Sequence, residues 1–178
     1  GAGKVGTYLL SHLLEAGAKV LIADIFPEKV EAAVKMGAKA VEPGEIFSVE
    51  CDIFAPCALG GILNDETIPQ LKAKVVAGSA NNQLLEPRHG KALAERGILY
   101  APDFIVNGGG VINVAQEFEP GGYCPDKAKA KAGKIYDILL NIFALAEEKG
   151  ILPHEAADLY AEERIRKALE QKRLYLPC

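Results

Sequence analysis

Gly1-Ala2-Gly3-Lys4-Val5-Gly6 places glycines at positions 1, 3 and 6, the G-x-G-x-x-G spacing of a dinucleotide-binding turn. Working outward, Val5, Leu9, Leu10, Leu13 and Leu14 recur at helical spacing, and Gly17 marks the stop. Lys19-Val20-Leu21-Ile22-Ala23 then reads as a buried strand ending at Asp24. Each part has a physical task. Gly1 permits the tight turn, Gly3 lets backbone approach a pyrophosphate, and Gly6 lets the helix press on the sheet. The helix start offers free N–H groups and a positive dipole end to phosphates. Asp24 can accept both hydroxyls of an adenosine ribose and would repel a 2′-phosphate, which favours NAD over NADP. The glycine turn ordinarily follows a strand. Here it opens the chain, so this stretch is expected to be the later part of a longer protein, with the first strand of its sheet missing.

Composition narrows the class further. The 178 residues carry 20 basic and 24 acidic side chains, a net charge of −4, with no basic cluster. That argues against a nucleic-acid surface or an anionic membrane as partner. No apolar run approaches the roughly 18 residues of a membrane span. Cys51, Cys57, Cys124 and Cys178 form no C-x-x-C pair, and His12, His89 and His154 are scattered. Free thiols in a reducing cytoplasm are expected, and no metal site.

The remaining chain alternates strands and helices. Pro27 to Met36 is predicted as a helix closed by Gly37, and Ala38 to Val41 as a strand. Glu45 to Val49 reads as one helical turn, and Asp52 to Ala55 as a strand broken by Pro56-Cys57-Ala58-Leu59-Gly60-Gly61. Asn64 to Thr67 caps a short helix through Leu71, Lys74 to Gly78 is a strand, Pro87 to Arg96 a helix, and Ile98 to Ala101 a strand. Such alternation of uniformly apolar strands with helices predicts an α/β fold, a doubly wound parallel sheet covered on both faces. Asp126 to Lys149 reads as one long helix with Ile135, Ile138, Leu139, Ile142 and Leu145 on one face. Pro153 to about Gln171 reads as another, with Ala156, Leu159, Ile165 and Leu169 inward. The expected division is a dinucleotide-binding domain over 1–118 and C-terminal helices over 119–178.

Ligands of such sheets sit outside the carboxyl ends of the strands. Those ends are Asp24, Pro56 to Gly61, Ser79 to Gln83 and Pro102 to Gly110. The candidate cofactor site therefore comprises Gly1, Gly3, Lys4, Val5, Gly6, Asp24, Cys57, Ala58, Asn82 and Asn107. Asn107-Gly108-Gly109-Gly110 leads into a β-branched helix start, a costly sequence for mere connection and one suited to backbone meeting ligand.

Two stretches carry a specific resemblance: PCALGGILNDETIPQLKAKVVAGSANNQL over 56–84 and YAPDFIVNGGGVINV over 100–114. The chain resembles the cofactor domain of the leucine, phenylalanine and valine dehydrogenases of the glutamate dehydrogenase superfamily, most nearly the leucine-type members. The resemblance runs from Gly1 to about Arg166 and implies a Rossmann-type domain. It implies NAD-dependent oxidative deamination of an L-amino acid to a 2-oxo acid and ammonia, in a homo-oligomeric protein. It places Asn107 near substrate and nicotinamide, and Val111 and Val114 in the substrate side-chain pocket. Valines there make an apolar wall suited to a branched aliphatic side chain, where glutamate-specific relatives need a polar group. The family's catalytic lysine and aspartate belong to an N-terminal substrate domain. Neither Lys4 nor Asp103 matches those positions, so no catalytic residue is expected in this chain, and residues 1–178 alone are expected to bind NAD poorly and catalyse nothing. A stand-alone NAD-binding or sensing module is the alternative.

Overall fold

The computed structural model describes residues 1–174, with side chains described through residue 170. It contains two compact units, Gly1–Asn107 and Gly108–Cys178. Among the described residues no helix is long and apolar enough to cross a membrane.

The first unit is α/β. Helix α1 (Lys4–Glu15) precedes strand β1 (Leu21–Ile22); α2 (Pro27–Met36) leads to β2 (Lys39–Ala40), and β3 (Ile53–Phe54) and β4 (Val75–Val76) follow. Helix α3 (Arg88–Glu95), β5 (Leu99–Tyr100) and the single turn α4 (Asp103–Val106) complete it. The boundaries have local causes. Pro27 stands at the first turn of α2, where its missing N–H costs nothing. Gly37, at φ 118°, ends that helix in the left-handed conformation, and Ala38 N–H returns to the Ala33 carbonyl. Gly97 does the same after α3, with Ile98 N–H reaching Leu93 O. In both cases the residue after the glycine is buried and leads directly into a strand.

Among the described residues all strand pairings are parallel. Leu21 and Ile22 pair with Lys39 and Ala40; Ile53 and Phe54 pair with Val75 and Val76, which pair in turn with Leu99 and Tyr100. The strands thus form two ladders, β1-β2 and β3-β4-β5. Phe54, Val76 and Tyr100 bury against Leu63, Ile68, Leu71 and Leu93, and Ile22 buries with Leu10, Ala33 and Ala38. Full coverage of both faces does not hold: Ile53 and Leu99, which point away from this core, are exposed. The connecting helix and loop pack one face only, so alternation along each strand leaves its neighbour open.

Where Glu45 to Val49 is expected as one helical turn, the chain instead makes a run of consecutive turns over 43–48, closed by Glu45 N–H to Glu42 O and Ser48 N–H to Glu45 O. The helix expected before Leu71 is a 3-10 turn, Ile68–Gln70, set up by Asn64 Oδ1, which accepts from the Glu66 and Thr67 N–H groups.

The second unit is helical among its described residues. It comprises α5 (Gly109–Ala115), a 3-10 turn at Gln116–Phe118, α6 (Pro125–Gly133), α7 (Ile135–Lys149) and α8 (Pro153–Leu174). The single helix expected over 126–149 is two. Gly133 is the poorest helix former in the run, and there Lys134 N–H tightens onto Lys131 O three residues back, which breaks the i to i−4 ladder. The face expected on α7 holds, with Ile142 wholly buried and Ala146 buried beside it. Among the described residues of α8 only Ala156 and Ala157 are buried; Leu159, Ile165 and Leu169, expected inward, are 38%, 61% and 57% exposed. A periodic pattern marks which residues share a face, not whether a neighbour covers it. Cys51, Cys57 and Cys124 are free thiols, and Cys178 lies outside the described residues.

Candidate functional site

The glycine turn is built by contacts that exclude side chains. A Cβ on Gly1 would stand 2.7 Å from the Cys57 carbonyl oxygen and 3.0 Å from Ala58 Cβ. One on Gly6 would overlap the Gly1 carbonyl and stand 3.5 Å from Cys57 Cβ. Gly1, Gly6, Cys57 and Ala58 are therefore brought together, by way of the loop after β3. Gly6 answers to the turn's own carbonyl rather than to the sheet alone. Gly3 differs, because a Cβ there would meet no atom within 4 Å. It faces open space, the situation of a backbone that a ligand can approach.

Helix α1 begins at Lys4 with no side-chain cap at Gly3 and no acidic residue in its first turn. Its leading N–H groups are left for an anion. Lys4 and Val5 are exposed on that first turn. Thr7 Oγ1 donates to Gly3 O at 2.9 Å, which ties the turn to the helix without occupying those donors.

Asp24 lies across the turn. Its Oδ2 accepts the Ala2 N–H at 2.7 Å, and its Oδ1 accepts the Phe26 N–H at 3.0 Å. Burial opposes the charged form, but the two backbone hydrogen bonds and the nearby Lys29 charge outweigh it and hold the carboxyl below its ordinary value. The carboxylate is thus charged at neutral pH and fixed in orientation, with lone pairs remaining for ribose hydroxyls.

A second cluster forms at the ends of β4 and β5. Asn107 Nδ2 donates to Asn81 Oδ1 at 2.6 Å. Asn82 adopts φ 51°, and its carbonyl accepts the Gly61 N–H at 2.7 Å. Below these amides Gln83 is wholly buried. Its Nε2 donates to Gly78 O at 2.8 Å and to Ala80 O at 3.0 Å, and its N–H reaches Asp103 Oδ2 at 3.2 Å. Tyr100 donates to Asp103 Oδ1 at 3.1 Å, and its phenol is pushed up by burial and by the Asp103 charge, so it stays a donor. The loops after β3 and β4 interlock. A Cβ on Gly60 would stand 2.7 Å from Asn81 O, and one on Gly78 would run into the Pro56 backbone.

Val111 and Val114 lie on α5 in the second unit and are 75% and 55% exposed. Sequence reasoning did not single out Gln83, Gly60 or Gly78 as site residues. The two glycines carried a signal, each at a strand's carboxyl end. Gln83 carried only its place in the polar 79–83 loop, because its partners are carbonyls.

Among known proteins, the family model of the Glutamate/Leucine/Phenylalanine/Valine dehydrogenases matches residues 26–173. Leucine dehydrogenase of Geobacillus stearothermophilus is 57% identical over 93% of this chain and 45% of its own length. Valine dehydrogenase of Streptomyces albus is 52% identical over 94% of this chain and 47% of its own. The crystal structure of L-tryptophan dehydrogenase from Nostoc punctiforme superposes with a TM-score of 0.89 at 48% identity, covering 93% of this chain and 50% of that one. This chain spans about half the length of the relatives it matches. With a family match across most of its residues, the chain belongs to the Glutamate/Leucine/Phenylalanine/Valine dehydrogenase family.

Proposed function

We propose that this chain is the NAD-binding portion of an amino acid dehydrogenase that oxidatively deaminates a branched-chain, leucine-like L-amino acid to the 2-oxo acid and ammonia. The observation that carries the cofactor is the fixed Asp24 carboxylate beside an uncapped helix start and an open Gly3. The donor set fits a dinucleotide: N–H groups and dipole for the pyrophosphate, a carboxylate for the adenosine ribose. Asp24 selects NAD over NADP, since a 2′-phosphate would meet a fixed negative charge. Lys4 and Val5 flank the pyrophosphate, Cys57 and Ala58 line the turn, and Asn82 and Asn107 serve the nicotinamide end. NAD, when bound, supplies the hydride acceptor. This chain's residues bind and orient it and carry no acid or base of the reaction.

The substrate reading rests on α5. Val111 and Val114 are one helical turn apart and exposed, so they offer an apolar wall to a substrate side chain. The relatives named leucine and valine dehydrogenases support an aliphatic preference. A one-methylene difference in such a pocket changes binding by about 1–3 kcal/mol, so leucine, isoleucine and valine are weakly separated.

A groove of about 670 Å³ between β1 and β3 supports a doubly wound sheet with one further strand. Val20 and Ile22 carbonyls bond toward β2, while Asp52 and Phe54 carbonyls bond toward β4. Alternation turns the backbone groups of Leu21, Ala23, Ile53 and Ala55 toward the groove. One strand parallel to both edges satisfies them together, as the first strand of the doubly wound reading, leading into Gly1.

The test uses protein expressed from the complete coding sequence, with NAD reduction and ammonia release followed against a panel of L-amino acids. Turnover of leucine, isoleucine and valine is expected, by a homo-oligomer. Absence of NAD reduction with every aliphatic amino acid would overturn the reading. NAD binding without turnover would favour a stand-alone binding module.

A further inference from the structure

The amide cluster above β4 and β5 is exposed, yet a fully buried residue shapes it. Gln83 donates both side-chain N–H groups, to Gly78 O and Ala80 O, which closes residues 78–83 into a compact loop. Two carbonyls on the same side fix which end of the amide is nitrogen, because the oxygen could accept nothing from them. The same residue is held from outside by its backbone: its N–H goes to Asp103, and its carbonyl accepts the Leu63 N–H at 2.9 Å. Asn81 and Asn82 sit on the rim of this loop, Asn82 with positive φ, and Asn81 binds Asn107. A buried amide whose Nε2 is spent on loop carbonyls, and whose Oε1 is buried with no partner among the described residues, is costly for a fold that could use an apolar side chain there. Its return is the fixed position of the rim.

We propose that Gln83 is a positioning residue for the nicotinamide end of the cofactor, acting through the Asn81–Asn82 rim, with Asp103 as its outer tether. This rests on the NAD-binding reading above. The adenosine end is held by Asp24 and the glycine turn, which meet the 78–83 loop only indirectly, by way of Cys57 and Ala58 in the neighbouring 56–61 loop, so the nicotinamide end responds far more strongly to substitution at 83.

Gln83→Met keeps length and burial and removes both donors. Asp103→Ala loosens the same tether from a partly exposed position, and it answers the question should Gln83→Met fail to fold. In protein from the complete coding sequence, affinities are measured for NAD and for ADP-ribose, which shares the adenosine and pyrophosphate but lacks nicotinamide. The expected result is about tenfold weaker NAD binding, the scale of one or two neutral hydrogen bonds, with ADP-ribose changed less than about twofold. A parallel loss of both ligands, or no change in either, overturns the proposal, since a merely structural residue would not separate them. If the unaltered protein binds neither NAD nor ADP-ribose, the cofactor reading fails first and takes this proposal with it.

Discussion

Replacing Asp24 with serine tests what the carboxylate does, and the structure adds a second task to the one proposed from the spacing. Asp24 meets the ribose in the proposed complex, and it also holds the Ala2 N–H of the glycine turn at 2.7 Å. A hydrogen bond to a charged group contributes about 1.5–3 kcal/mol at most. Partial exposure of the carboxylate reduces the turn's share to about 1 kcal/mol. Adding about 1–2 kcal/mol for the ribose hydroxyls, NAD should lose about 2–3 kcal/mol, or roughly 30- to 150-fold in kcat/KM. NADP gains from removal of the repulsion but loses the ordered turn, so its kcat/KM should rise no more than about fivefold. The gap between cofactors therefore narrows chiefly because NAD falls. Steady-state kinetics with both cofactors, beside thermal unfolding of each protein, measure this. A tenfold rise for NADP with NAD unchanged would refute the turn-holding role. Equal efficiency with both cofactors before any substitution would refute the role of Asp24 in selection.

Gly6→Ala should lower Tm by several degrees, because its Cβ overlaps the Gly1 carbonyl; Gly3→Ala, in open space, should leave Tm unchanged and weaken NAD binding by calorimetry. Among substrates, glutamate and phenylalanine should run well behind leucine, isoleucine and valine. Val114→Ser should lower kcat/KM for leucine by about 5- to 20-fold, the scale of one buried aliphatic contact, and an unaltered enzyme fastest on glutamate would refute the apolar wall. Because the folded-state pKa of Asp24 lies below its unfolded value, its contribution to stability is complete above the ordinary carboxylate range and is lost as pH falls through the folded value. The Tm difference between wild type and Asp24→Asn should thus be constant from pH 7 to about pH 5 and shrink below about pH 4.

Local punctuation was the most legible part of the chain. Pro27 and Gly37 bracket α2 at the bounds the sequence predicts, and all five strands fall within their expected runs. Each relies on backbone rules that act over a few residues. Readings that depend on a distant neighbour fared less well. The apolar residues of α8 keep helical spacing, yet Ile165 and Leu169 are exposed among the described residues. The apolar pattern over 126–149 carries through Gly133 unbroken, but the helix breaks beside it. In the site, the glycine turn and Asp24 could be read from spacing, whereas the Ala2–Asp24 bond joins residues 22 apart. Gln83 falls within the 79–83 loop that the sequence marks as a strand end, but nothing in its neighbours' side chains announces its two carbonyl partners.

The interlocked loops after β3 and β4 have a consequence for redesign. Gly60 and Gly78 each lie where the opposite loop's backbone leaves no room for a methyl group, and Ala80 N–H and Gly61 N–H cross between them. The two loops therefore behave as one graft. A transplanted 56–61 that brings a side chain to position 60 would collide with a resident 78–82, and a transplanted 78–82 with a side chain at position 78 would meet the same obstacle at Pro56. A chimera that moves both together carries its own clearances with it, so successful exchanges between relatives should be found only as matched pairs.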